Sequence, residues 1–133
     1  MYERDVELFN DSIERCSSKP EFLRRFYTLF LASSDTVARK FERTDMRKQA
    51  RLLKTSLYIM MLASGESEWV VHLERLAKLH SRDGLDIKPE LYDLWPDRLL
   101  QALAEFDPLF DPETETAWRR VLQPGIEIMK SKY

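Results

Sequence analysis

Residues 73–92 read LERLAKLHSRDGLDIKPELY. On a helix, Leu73, Leu76, Ala77 and His80 share one side with Trp69 a turn earlier, while Glu74, Arg75, Lys78 and Ser81 lie elsewhere. One of the chain's two histidines therefore continues an apolar stripe. Burying an imidazole without partners costs roughly 1–3 kcal/mol. Two readings stay open on this helix alone. Either His80 is a hydrogen-bonded core or edge residue, or it ligates a metal through one ring nitrogen. In the second case the other nitrogen donates to a carbonyl one turn back, near Leu76. His72, about 80° around the helix from His80, reads as a surface residue.

Working outward, Ser67 reads as the cap of this helix over 68–82, Gly84 as its stop, and Pro89 as the start of a helix reaching about Phe106. Upstream, Thr44 or Asp45 caps a long helix to Ser64, stopped by Gly65. Ser34 caps a short helix ending near Phe41. Ser18 and Pro20 open a helix carrying Phe22, Leu23, Phe26, Tyr27, Leu29 and Phe30, apolar over most of its circumference and so buried on several sides. The first helix, 3–17, spaces Val6, Phe9, Ile13 and Cys16 along one side. Asp111-Pro112 begins the last helix. Pro96 and Pro124 fall inside predicted helices and should kink or break them. The reading is an all-α single domain over 1–133 with about seven helices, too uneven in length for an up-down four-helix bundle.

Composition bounds the function. The chain has 133 residues, 44% hydrophobic and 33% charged, with net charge −2. It therefore reads as globular and offers no overall basic footprint for nucleic acid. The single cysteine, Cys16, excludes an internal disulfide and suits a reducing compartment. The apolar run LYIMMLA at 57–63 is too short to span a bilayer, and the charged N-terminal residues do not resemble a signal peptide. The expected setting is cytoplasmic, without membrane or nucleic-acid partners. No nucleophile–base pair, carboxylate pair or phosphate loop marks a catalytic residue.

Two further polar residues stand in apolar surroundings. Gln49 shares its side of the long helix with Leu52, Leu53, Ser56, Leu57 and Met60, and Tyr27 lies on the crowded second helix. Each alone is most simply a satisfied core polar group. Together, one ligating residue, two hydrogen-bond donors and abundant Phe and Leu suit a flat apolar cofactor with an iron centre.

The segments FYTLFLASSDTVARKF, TDMRKQARLL, LAKLHSRDGLDIKPELYDLW and DPETETAWRRV, in this order, resemble the single-domain bacterial hemoglobins of the globin superfamily over nearly the whole chain. The resemblance implies a globin fold that holds heme b, iron protoporphyrin IX, with His80 as the proximal iron ligand. It implies Gln49 and Tyr27 as distal residues that meet a diatomic ligand, although a one-residue shift would put Phe26 in place of Tyr27. Phe41 would pack on the heme, Leu53 would crowd the ligand, and Leu76, Ile87 and Tyr92 would line the proximal side. Arg82 and Lys88 are candidates to meet the heme carboxylates.

The expected function is reversible binding of dioxygen, NO or CO for storage, scavenging or sensing, by a monomer or homodimer. An NO dioxygenase activity would need an external reductase, since no reductase segment is expected here. Three departures from the family pattern are visible. The region between the third helix and the distal helix is short, the turn from His80 to Tyr92 is slightly long, and Glu127 falls too early to polarise His80 as in flavohemoglobins. The competing expectation is a heme-free, globin-shaped interaction or signalling module.

Overall fold

The computed structural model describes residues 2–65 and 67–133, without the side chains of Tyr2 and Ser67. Its elements run α1 (Tyr2–Ser17), α2 (Pro20–Ala32), α3 (Asp35–Lys40), α4 (Met46–Gly65), a 3-10 turn (Ser67–Trp69), α5 (Val70–His80), α6 (Leu91–Phe106) and α7 (Pro112–Ser131). Among the described residues there is no strand, as the sequence predicts.

Polar caps explain three of the helix starts. Ser34 accepts from the Thr36 and Val37 amides, and Asp111 accepts from that of Thr114, so α3 and α7 start where their polar caps stand. At α4 it is Asp45, not Thr44, that caps: its Oδ1 accepts from Arg47 N at 3.1 Å and Lys48 N at 3.3 Å. The boundary residue of α2 is Lys19 without a side-chain cap, not Ser18. Pro20 at the first helical position already fixes the backbone there and needs no amide partner. The cap expected at Ser67 lies outside the described side chains.

α7 forms the spine of the molecule, packing against α1, α4 and α5, while α2 packs on α6. At the α1–α7 crossing the Phe9 ring lies 4.2 Å from that of Trp118, both fully buried. Pro96 and Pro124 do not break their helices: α6 and α7 run through them. Each proline forfeits one helical hydrogen bond, but the buried faces around them, Leu91, Leu99, Leu100, Val121, Leu122 and Ile126, keep the segments docked. Leu52, placed by the sequence reading on the side of Gln49, is instead 51% exposed. It sits too far around α4 from Leu53 and Leu57 to share their burial.

One polar cluster is also part of this core. Asp107, at the end of α6, accepts from Ser12 Oγ at 2.6 Å, Arg15 Nε at 2.7 Å and Leu109 N at 3.0 Å. It thereby fastens α1 to the α6–α7 corner. Burial works against its charge, but the bonds from Arg15, Ser12 and Leu109 outweigh it and hold the carboxyl below its ordinary value.

Candidate functional site

His80 is the last residue of α5 and is half-buried. Its Nδ1 lies 2.8 Å from the Leu76 carbonyl oxygen. A carbonyl can only accept, so this geometry requires the proton on Nδ1 and leaves the Nε2 lone pair free. The helix does not continue to residue 82, as the sequence pattern suggests, because the following turn folds back over its end. Leu85 N donates to Leu79 O, and Ile87 N donates to His80 O, both at 2.8 Å.

Gly84 makes that closure possible, though not by a positive φ. A Cβ there would stand 2.2 Å from the Leu79 carbonyl oxygen, so only glycine lets the turn lie so close. The left-handed residue is Asp86, at φ 53°. Its carboxylate accepts from the Tyr133 hydroxyl, and the Arg82 guanidinium sits 4.9 Å from the Tyr133 ring centre. The Tyr133 bond is the main reason the Asp86 carboxyl lies below its ordinary value, with Lys40, Lys88 and Arg82 adding to it. α6 begins at Leu91, two residues after Pro89, because 89–90 form a turn in which Tyr92 N donates to Pro89 O.

A second group of the predicted residues gathers between α2, α4 and the turn after α3. Tyr27 is buried, its ring 5.8 Å from that of Phe41, which also packs 6.2 Å from Phe30. The Tyr27 hydroxyl points at the Gln49 backbone carbonyl at 3.5 Å, a long and weak contact. Burial pushes the Tyr27 hydroxyl up to about 12, only partly offset by Gln49. Phe26 turns the other way, toward Trp95, so Tyr27 is the residue of the pair that faces Gln49. Tyr27 also lines an apolar cleft of about 250 Å³ between α2 and α4, with Arg24, Thr28, Leu31, Met46 and Ala50.

The structure thus assembles two clusters: Tyr27, Phe41 and Gln49 on one side, and Leu76, His80 and Ile87 on the other. Leu53 is buried in the shared core, and Ile87 and Tyr92 pack on it half-buried. Burial raises the Tyr92 hydroxyl to about 12. Among the described residues no hydrogen bond joins His80 to the first cluster. Arg82 is engaged with Tyr133, and Lys88 is exposed. Glu127 accepts from Gln123 Nε2 at 2.6 Å and leaves the imidazole to the Leu76 carbonyl. Asp86 and Tyr133 escaped the sequence reading because Gly84 drew attention as the turn residue and the Asp86 backbone has no sequence signature.

Among the described residues no three His, Cys, Asp or Glu side chains gather as a metal cage. His80 presents one ring nitrogen near the half-buried Leu76 and Ile87, a donor set that would fit a metal whose remaining ligands belong to a macrocycle.

A family model described as Globin matches residues 24–126. A crystal structure of a protein from Pseudomonas aeruginosa PAO1, described as structurally highly homologous to a human hemoglobin, is similar to this chain at 42% identity. It covers 97% of this chain and 98% of that one, with a TM-score of 0.92. No curated protein matches.

Proposed function

Because the chain belongs to the globin family, we propose that it binds heme b through His80 and reversibly binds dioxygen, NO or CO there. The observation that carries this reading is the 2.8 Å contact from His80 Nδ1 to the Leu76 carbonyl. It satisfies one nitrogen, fixes the tautomer and ring plane, and leaves Nε2 as the only ring atom able to ligate iron. Heme held there would supply an iron able to take up a diatomic ligand.

The protein's own residues do the rest. Phe41, Leu53, Leu76, Ile87 and Tyr92 supply apolar surface that keeps water from the cofactor. Tyr27 remains protonated at every physiological pH, since its hydroxyl is raised to about 12, and so keeps a proton to donate. Its contact with the Gln49 carbonyl is weak, which leaves that hydroxyl free to turn toward a ligand. The Gln49 side-chain amide, on α4, is the second donor of this cluster.

With a neutral carbonyl behind His80 rather than a carboxylate, the ligating nitrogen is less basic than in a carboxylate-backed histidine. That favours reversible gas binding over peroxidase-like chemistry. A cytoplasmic location and an external reductase complete the proposal. The test is spectroscopic: the full chain takes up heme with a Soret band that shifts on reduction and again on CO binding. Absence of heme uptake would favour a heme-free interaction module.

A further inference from the structure

The surface around the turn after His80 has a charge and exposure pattern that gas binding does not use. Seven basic and two acidic residues lie between Arg39 and Lys54, a net +5 in a chain whose total is −2, so the remainder carries −7. Arg39, Lys40, Arg43, Arg47, Lys48, Arg51 and Lys54 are all exposed, and among the described residues none forms an ion pair. Lys40 ties this band to the turn, donating to Leu85 O at 3.2 Å. There two large apolar side chains face solvent: Leu79, immediately before His80, is 65% exposed, and Leu85 is 58% exposed. The same band continues into α4 past Gln49. A small apolar centre with a predominantly basic rim, in which Glu42, Asp45 and Asp83 are the exposed acids, is the anatomy of a transient protein interface.

We infer that Leu79 and Leu85, with the basic band from Arg39 to Arg51, form the docking surface for an acidic electron-donor protein. This rests on the heme reading above: whenever bound dioxygen left as superoxide instead of as dioxygen, the iron would be left ferric and would have to be returned to ferrous before it could bind dioxygen again. One electron leaves the reduced flavin of the donor, which is oxidised by one electron, and reduces ferric iron to ferrous. The chain has a single thiol, Cys16, buried in the core, so no dithiol couple of its own supplies that electron. The occupant follows from the charge. An extended polyanion or an anionic membrane would also meet the exposed acidic stripe of α1, Glu3, Glu7, Asp11 and Glu14, which adjoins α4 where Tyr58 donates to Glu14 at 3.0 Å. Two separate leucines also offer no helix-long apolar face to insert into lipid. A compact acidic protein needs only the basic patch, and rim charges steer its encounter.

The probe is an acidic flavodoxin, used in two measurements on the full chain. In NMR titration, with or without heme, flavodoxin shifts amides of residues 39–51 and 79–85, and the shifts vanish at high salt. In stopped-flow reduction of the ferric protein, Arg39→Glu/Arg43→Glu and Leu79→Ser/Leu85→Ser each slow reduction by flavodoxin about tenfold or more at low salt. Reduction by the small cation hexaammineruthenium(II) is not slowed in either variant. Shifts elsewhere on the molecule, a rate indifferent to salt and to both variants, or equal slowing with both reductants would overturn the inference. So would a salt-sensitive dimer that hides this face, or binding to anionic vesicles or DNA through the same residues. Loss of heme binding would remove the function proposed above, while the NMR measurement still reads the surface by itself.

Discussion

At His80 one hydrogen bond decides which nitrogen is left for chemistry, and the neighbouring side chains decide what that chemistry meets. The Leu76 partner was legible in the sequence because a ring at the end of a helix has the carbonyl four residues back within reach. The pairing of Tyr27 with Gln49 was legible only as proximity. The contact runs to the Gln49 main chain, which no residue pattern encodes. His80→Gly should abolish stable heme uptake while leaving the far-ultraviolet circular dichroism unchanged, and imidazole added to the solution should restore a Soret band. Tyr27→Phe and Gln49→Leu should each speed oxygen release, by about 5- to 150-fold if each donor is worth roughly 1–3 kcal/mol, as read by stopped-flow displacement. The pH dependence of Tyr27 has a definite sign. Its folded value lies above the ordinary value of 10.0, at about 12, so its stabilising contribution is intact below pH 10 and is lost as pH rises through the folded value. Ultraviolet titration should therefore show one hydroxyl that Tyr27→Phe removes, ionising only near pH 12.

Helix ends were legible wherever a polar cap or a first-turn proline stands, as at Ser34, Asp45 and Asp111. They were not legible where the tertiary chain supplies the stop. α5 ends at His80 because Leu85 and Ile87 donate back to its last carbonyls, a closure set by Gly84 and Asp86 together. Gly84→Ala puts a methyl against the Leu79 carbonyl and should cost roughly 1–3 kcal/mol, seen as a lower urea midpoint. Faster amide exchange at Ile87 should accompany it. The corner between α6 and α7 depends on Asp107 in the same way. Asp107→Ala leaves Arg15 and Ser12 without their partner and should cost about 3–5 kcal/mol at neutral pH. The Asp107 carboxyl is held below its ordinary value of 3.8. Its contribution is therefore present above that value and lost as the pH falls through the lower folded one. Urea midpoints of wild type and Asp107→Asn should converge in that acid range.

Over the whole molecule, the order of amphipathic segments and caps conveyed an all-α domain, and the resemblance of four segments to bacterial hemoglobins conveyed the globin arrangement. The two internal prolines misled only as to breaks, since burial of α6 and α7 around them outweighs one lost hydrogen bond each. A net of −2 conceals a basic band over 39–54 that the sequence itself displays, but only the fold shows its cations exposed and Lys40 bonded to the turn at Leu85. The central claim, that His80 holds heme in this fold, is tested most directly by titrating the full chain and its His80→Ala variant with hemin and recording the oxidised, reduced and CO-bound spectra. The account predicts one heme bound per wild-type chain, with a Soret band that moves at each step and is lost in the variant. No Soret band in the wild type, or the same spectra in both proteins, would contradict it.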